Sequence, residues 1–333
     1  MKIKDRKILI TGGAGFIGSH LVDRFLEEGA DQIVVYDNFS TGLHKYLEGK
    51  PIDIVNDDIL NTKKLDEVMK GIDIVSHHAA ELEVFTGINN TLHDLRINIE
   101  GTFNVLNTAY KNRVQKFIYA SSGGVYGQAE YIPEPEDHPI RPHWPYGVSK
   151  LAGEKYCLQY YLLYNFSTVA LRYGIVYGPR EWYGRVLTIF IKRALEGKAP
   201  IIFGDGEQRR DYIYIDDIVE ANILAIKSES TNGKVFNVGG GKSFSINQVA
   251  DTVLKLMEIE LKPIYDNPEP GESSKFQPNR RRLPGELRDF ILDNTFIKKT
   301  INFHPKVDFM EGVKREINWI RNFPENWNYK PRV

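Results

Sequence analysis

A single cysteine, Cys157, stands in a chain of 333 residues, and the formal net charge is only −1. One cysteine excludes an internal disulfide and a tetrahedral thiolate metal centre within the chain. The 43 Lys and Arg are balanced by 44 Asp and Glu, interspersed along the sequence, which removes the electrostatic reason to expect nucleic acid or an anionic membrane as partner. Small molecules remain as the default ligands. No apolar run is long enough to cross a bilayer, so no membrane association is expected. The opening MKIKDRKILITGG has a charged run and one short apolar strand, without the apolar region and cleavage site of a signal peptide. A soluble, cytoplasmic protein in a reducing compartment is the expectation.

Strands and helices alternate over the first half. Lys7 to Thr11 is a short apolar run ending in glycines, and Ile17 to Glu28 repeats apolar residues at helical spacing, so the opening reads strand, tight turn, helix. QIVVYD is a second strand, and further strands fall at Ile52 to Val55, Ile72 to His77, Lys116 to Ala120 and Ser167 to Tyr173. This predicts an α/β fold with a Rossmann-type, doubly wound parallel sheet and ligands at the carboxyl ends of its strands. Residues 1–173, with 211–238 returning to them, are expected to form the dinucleotide-binding domain. Residues 174–210 and 239–333 are expected to form a smaller α/β substrate lobe, because GIVYGPREWYGR and KAPIIFGDGEQRRDY are rich in Gly, Pro, Arg and aromatics. Asp266 to Pro284 reads as a loop, VKREINWIRNF as a helix closing that lobe, and PENWNYKPRV as a tail.

Gly12, Gly15 and Gly18 in GGAGFIG give a GxxGxxG spacing. Alone, it fits a turn needing positive φ as well as a pyrophosphate cradle at a helix N-terminus. Its place between strand and helix favours the cradle. Asp37 closes the next strand roughly 20 residues on, where a carboxylate binds ribose hydroxyls and repels a 2′-phosphate, which points to NAD rather than NADP.

Tyr146 and Lys150, four apart in YGVSK, share one helix face. A phenol with an ordinary pKa near 10 is ionised about once in a thousand at neutral pH, so its use as a base costs about 4 kcal/mol unless a cation helps. Lys150 is the expected cation. The bland alternative, a packed tyrosine beside a solvated lysine, loses ground because the strand ending in ASSGGVYG brings Ser121 and Ser122 to the same edge, where a hydroxyl can donate to a substrate oxygen. His77 and His78 are adjacent strand residues pointing to opposite faces, with no partners at ligand spacing, so packing rather than metal binding is expected.

At this point the residues resemble the extended short-chain dehydrogenase/reductases, and within them the nucleotide-sugar 4-epimerases of the UDP-galactose 4-epimerase type. The resemblance covers nearly the whole chain through TGGAGFIGSH, VYDNFSTG, HHAA, NIEGTFNVL, SSGGVYG, YGVSK, RYGIVYGPR, GDGEQRRDYIYIDD and FNVGGG, in order. It implies a UDP-sugar substrate and an NAD that stays bound: Tyr146 takes the proton of the sugar O4, hydride leaves C4 for NAD, the 4-keto sugar turns over, and hydride returns to the other face. By motif position Ser122 binds O4 and Lys150 positions the ribose and the phenolate. Phe16, Ile17, Asn38, Ser40, Thr41 and Gly42 join the cofactor contacts, and Asp58 with Ile59 holds adenine. Ala79, Ala80, Asn98 and Ser121 line the cofactor cleft, and Tyr173 backs the nicotinamide. Homodimers through the helices near Leu92 to Tyr110 and Tyr146 to Tyr164 are also implied.

At the substrate end the resemblance places Phe203, with the backbone from Ile201, against uracil and Arg210 on the diphosphate, with Arg282 or Arg288 as the second cation. Gly123, Gly124 and Val186 complete the substrate contacts. Several departures bear on the reaction. Gly123 and Gly124 stand where 4,6-dehydratases carry an acidic pair and where UDP-glucuronate decarboxylases have a nearby glutamate, which disfavours both. Ile175 replaces an asparagine that contacts substrate. Arg185 occupies a position that is usually small or an amide, so it is either a partner for a sugar carboxylate, as in UDP-glucuronate, or a rim salt bridge. Phe290 sits where bulk excludes N-acetyl sugars. Two other classes stay open: a nucleotide-sugar reductase or dehydrogenase that releases its cofactor each turnover, and a silent NAD-binding regulator.

Overall fold

The computed structural model describes residues 1–181 and 184–325. Its strands, in chain order, are β1 (Lys7–Thr11), β2 (Gln32–Asp37), β3 (Asp53–Asn56), β4 (Ile74–His77), β5 (Lys116–Ser122), β6 (Thr168–Tyr173), β7 (Ile175–Tyr177), β8 (Ile201–Phe203), β9 (Arg209–Tyr214), β10 (Lys234–Val238), β11 (Ser243–Ser245), β12 (Ile264–Asp266) and β13 (Asp289–Phe290). The helices are α1 (Phe16–Glu27), α2 (Thr62–Val68), α3 (Val84–Asn89), α4 (Thr91–Asp94), α5 (Thr102–Lys111), α6 (Pro145–Tyr164), α7 (Val186–Leu195), α8 (Ile215–Lys227), α9 (Ile246–Met257), α10 (Thr295–Ile301) and α11 (Phe309–Asn322).

Seven parallel strands form the main sheet in the order β10-β6-β5-β4-β1-β2-β3. Its apolar runs are buried on both faces, as a parallel sheet requires. Ile8 and Ile10 of β1 pack with Leu21, Val22 and Phe25 of α1 and Ile218 of α8, whereas Leu9 between them packs with Val105 and Leu106 of α5 and Cys157 and Tyr160 of α6. Period-two alternation therefore feeds two helical layers from one strand. Strand order reverses at β1, with β2 on one side and β4 on the other, so the crevice for ligands opens at the carboxyl ends there.

At Gly174 the chain leaves this sheet for a second one. β7 pairs in parallel with β9, which also pairs with β11 and β13, while β8 and β12 form a small parallel pair. The chain then returns, and β10 pairs with β6 along five residues. The strands expected in the first half are all present, with ends moved by one or two residues. The Gly-, Pro-, Arg- and aromatic-rich stretches 174–185 and 198–212, whose composition favours loops, hold β7, β8 and the start of β9. Between them lies the ten-residue α7, whose Leu187, Phe190, Ile191 and Ala194 face the core. Asp266 to Pro284 is a loop after its first residue, folded on itself where Asp266 accepts from the Ser274 hydroxyl at 2.7 Å and from Lys275 N at 2.9 Å. Of the expected tail, residues 326–333 lie outside the described residues. Among the described residues no helix is long and apolar enough to cross a membrane.

Candidate active site

One cavity of about 630 Å³ runs from the carboxyl ends of β1 and β2, past β5 and α6, to α7, β8 and the Arg280–Leu287 loop. At the first end the chain turns from β1 into α1. Gly12 has φ of +68°, and a Cβ on Gly18 would lie 2.1 Å from Gly12 O, so the turn admits no side chain at either position. Among the described residues no side chain caps α1, and no acidic residue occupies its first turn. The free N–H groups of Phe16, Ile17 and Gly18 thus open on the cavity as an anion site. Asp37 anchors the turn, accepting from Ala14 N at 2.9 Å and Phe39 N at 2.8 Å, with both oxygens keeping lone pairs for further donors. Burial pushes its carboxyl above the usual range against those two hydrogen bonds. Asn38 donates to Asp58 at 2.8 Å, and Asp58 and Ile59 close the far wall beside Ser40 and Thr41. Arg180 adds a partly buried guanidinium whose Nη1 has no hydrogen-bond partner among the described residues. Arg180 is paired through its other amine with Asp23 at 2.8 Å, so the cradle rests on the bare backbone N–H groups and the ribose-height carboxylate, which fit a dinucleotide pyrophosphate.

At the middle, Ser122 ends β5 and Tyr146 and Lys150 occupy the first turns of α6. A Cβ on Gly147 would meet Gly124 O at 2.5 Å, so this glycine is what lets α6 press against the turn after β5. Ser122 Oγ accepts from Gly124 N at 3.1 Å and lies close enough to the Tyr146 phenol to oppose the upward pull of burial on it. Lys150 Nζ donates to Ala120 O at 2.9 Å and stands 5.8 Å from the Tyr146 ring centre and 5.1 Å from that of Tyr119. Burial pulls its pKa down to about 8, so the ammonium form still dominates at neutral pH. The electrostatics differ from the sequence expectation at one point. Burial holds the Tyr146 phenol above its ordinary value, and the groups opposing that are Arg185 first and Ser122 second, not Lys150. The ammonium is committed to the Ala120 carbonyl and stands over the Tyr146 ring instead. Ser121 also differs: its hydroxyl donates to Glu154 at 3.0 Å, because neighbouring strand residues point apart, and only Ser122 is left for a substrate oxygen.

Tyr173 lines the cavity, stacked on His78 with centres 6.4 Å apart and donating to Asn222 at 3.0 Å. His77 is buried between the Thr11 and Thr102 hydroxyls at 2.6 and 2.9 Å. Among the described residues no three ligand-type side chains cluster as a metal site would require.

Ala79 and Ala80 line the cavity, but three residues expected there do not. Asn98 is turned into the protein, donating to Glu81 O and Asp94 and accepting from Glu81 N, all at 2.9 Å, so it holds the loop after β4 from behind. Gly42 packs on Ala14, and Gly123 packs on Phe290. At the sugar and diphosphate end, Ile175, Arg185, Val186, Ile201, Phe203, Arg210, Gly124 and Phe290 all face the cavity. Arg282 and Arg288 do not. They line a separate depression beyond Phe203, where Arg282 donates to Asn267 at 2.6 Å and Arg288 pairs with Asp205 at 2.9 Å. Local acceptors capture both. Arg280 and Arg281 line the main cavity in their place, with the Arg280 guanidinium 5.3 Å from the Phe203 ring centre and its pKa drawn down by burial to about 10. The run of three arginines signals this cluster, but only the loop geometry selects among its members.

Comparison with known proteins agrees with this geometry. Residues 8–239 match the NAD dependent epimerase/dehydratase family. The chain belongs to that family. It is 39% identical over 323 residues to a putative UDP-glucose 4-epimerase of Methanocaldococcus jannaschii, spanning 95% of this chain and 98% of the other. It is 33% identical to a UDP-N-acetyl-alpha-D-glucosaminuronate decarboxylase of Bacillus cytotoxicus, again spanning 95% and 98%. The crystal structure of UDP-glucuronic acid 4-epimerase from Bacillus cereus, in complex with UDP-glucuronic acid and NAD, superimposes with a TM-score of 0.85 at 31% identity, covering 95% of this chain and 99% of that one. As a member of the epimerase/dehydratase family the chain is an NAD-dependent enzyme with a Rossmann-type sheet. The family spans more than one reaction on nucleotide sugars.

Proposed function

We propose that the chain is a UDP-sugar 4-epimerase, acting on UDP-glucose and UDP-galactose or on UDP-glucuronate and UDP-galacturonate, with Tyr146 as its acid and base. What supports this above all is the convergence of the Ser122 hydroxyl, the Tyr146 phenol and the Lys150 ammonium in one cavity, with no acid side chain following Ser122. An acid at 123 would have no room, because a Cβ there would lie 2.2 Å from the Phe290 ring. Loss of water, loss of carbon dioxide and inversion all begin by oxidising C4. Dehydration then needs an acid and base at C5 and C6, which Gly123 and Gly124 do not supply.

Bound in the cleft between the glycine turn and Tyr173, NAD supplies a hydride acceptor and donor at the sugar C4. The protein's part is proton transfer and orientation. Ser122 donates to the sugar O4 and holds it beside the phenol. Tyr146 removes the O4 proton, and after the sugar ring presents its other face Tyr146 returns that proton. Lys150 lends positive charge and, through Ala120 O, fixes its own height relative to β5. Arg280 and Arg210 grip the diphosphate, while Phe203 packs on the base. Phe290 limits the space at C2 and disfavours N-acetyl sugars. Arg185, the first cation opposing the burial of Tyr146, also gives a carboxylate at C5 a partner. Residues 1–173 with 211–238 act as the cofactor domain and the rest as the substrate lobe, in a cytoplasmic homodimer. Leu92, Leu95, Phe103, Leu162 and Leu163 stand exposed on the two helical stretches through which it would pair.

Incubation with UDP-glucose, UDP-glucuronate or UDP-N-acetylglucosamine, followed by NMR of the sugar ring, tests the reading. The expected result is C4 inversion of one or both non-acetylated sugars without added cofactor, and a fall of at least about a thousandfold in Tyr146→Phe protein that still carries NAD. Release of carbon dioxide, a 6-deoxy product, or a demand for NADPH would each replace epimerisation with another reaction.

A further inference from the structure

Two carboxyls meet beneath the sugar end of the cavity. Glu181 follows the GPR turn and Glu316 lies on the buried face of α11, and they are 4% and 1% exposed. The two groups are within hydrogen-bonding distance of each other. Among the described residues no N–H or O–H reaches either oxygen of Glu316 or Oε2 of Glu181. Around them stand Tyr177 from β7 and Tyr212 and Tyr214 from β9, with Asp216, Asp217 and Asp308 acting on these phenols from farther out. Arg315, beside Glu316 in sequence, turns outward to Glu311 and Asp216, and Arg210 reaches only as far as Tyr212. Among the described residues the cation that pairs with Glu181 is Arg185, whose Nε is 3.6 Å from Glu181 Oε1.

Two ionised carboxylates in contact, this deeply buried, repel each other and lack the donors that would solvate them. One proton between them removes the repulsion and makes the missing hydrogen bond. Among the described residues Glu316 has no cation beside it and keeps that proton, its own pKa driven strongly upward by burial and by Glu181. Glu181 faces Arg185 and is the group that ionises, near pH 7, where burial and the guanidinium act against each other. Glu181 lines the cavity, and Arg185 faces both it and the Tyr146 phenol.

We propose that Glu181 and Glu316 share one proton at neutral pH, and that the charge on Glu181 tethers Arg185, so that protonating Glu181 releases the guanidinium to an anionic group on the bound sugar. Glu181 is then a positioning residue for Arg185, and Glu316 acts through Glu181. The inference rests on the cavity being a UDP-sugar site, but the carboxyl pair is measurable without one. In NAD-loaded protein labelled with carbon-13 at glutamate carboxyls, one resonance should titrate near pH 7 and vanish in Glu181→Gln. It should persist in Glu316→Gln, whose amide donates where the protonated carboxyl did. Absence of that titration, or its loss in Glu316→Gln, overturns the pair.

The tether is read by calorimetry on Tyr146→Phe holoprotein, which binds without turnover. The ratio of UDP-glucuronate to UDP-glucose affinity should rise about fivefold as pH falls from 8 to 6, and should be flat at the higher ratio when Glu181→Gln is added. A pH-independent ratio without that second change overturns the tether. If the protein binds neither nucleotide sugar, the functional reading fails and the carboxyl resonances alone decide the pair.

Discussion

The two ends of the cavity are built from different materials. At the cofactor end the walls are backbone: a glycine turn, the uncapped start of α1 and one carboxylate tied to two N–H groups. At the sugar end they are side chains drawn from β7, α7, β8, β9 and the loop before β13, several of them held by ion pairs. A backbone site is fixed by steric limits within a few consecutive residues and tolerates almost no substitution. A side-chain site is fixed by which acceptor happens to capture which cation, so it can change its ligand by exchanging single residues without disturbing the sheet.

The sharpest way to break this comparison is Gly18→Ala. Its Cβ would lie 2.1 Å from Gly12 O, and neither backbone segment has room to yield. The expected cost is about 3 kcal/mol or more, a hundredfold or greater loss of NAD affinity by calorimetry. A loss below threefold would mean that the turn is plastic. At the other end Arg280→Ala should weaken UDP binding by roughly thirtyfold, as removal of a half-buried charged donor facing a diphosphate does, whereas Arg288→Ala should cost less than about twofold. The reverse order would return the diphosphate to Arg288.

Phe290→Ala should raise turnover of UDP-N-acetylglucosamine by about tenfold relative to UDP-glucose, with a lower melting temperature because Phe290 is buried against Gly123. The smallest effect concerns pH. Burial raises the Glu134 carboxyl to about 8, so the stability owed to its neutral form is complete at acid pH and drains as pH climbs toward 8. Glu134→Gln, which stays neutral, should therefore gain on the parent by a few degrees in melting temperature between pH 5 and pH 8. A constant difference would show that Glu134 titrates normally.

The same division explains what was legible in the sequence. Gly12, Gly18, Asp37, Tyr146 and Lys150 could be placed because each belongs to a contiguous motif whose spacing dictates geometry. The parallel sheet followed from the alternation of strands and helices over the first half. Asn98 could not be placed, since nothing local reveals that its amide is consumed by Glu81 and Asp94. Arg282 and Arg280 are two residues apart, and acceptors brought in by the fold, Asn267 and Pro268, hold the first at the rim while the second stays in the cavity. Glu181 and Glu316 lie far apart in the chain, and no pattern in either segment announces the partner. The helix α7 was hidden by the turn residues around it.

The outermost strand of the main sheet, β10, reaches β6 only after the chain has woven β7 to β9 through the neighbouring layer. A polypeptide released at any point before Lys234 would leave the backbone of β6 from Val169 to Tyr173 without its ladder partner, a raw and apolar margin open to other chains. Proteolytic nicking in that interval is thus expected to yield aggregate rather than a separable nucleotide-binding half, and the two layers should melt as one cooperative unit.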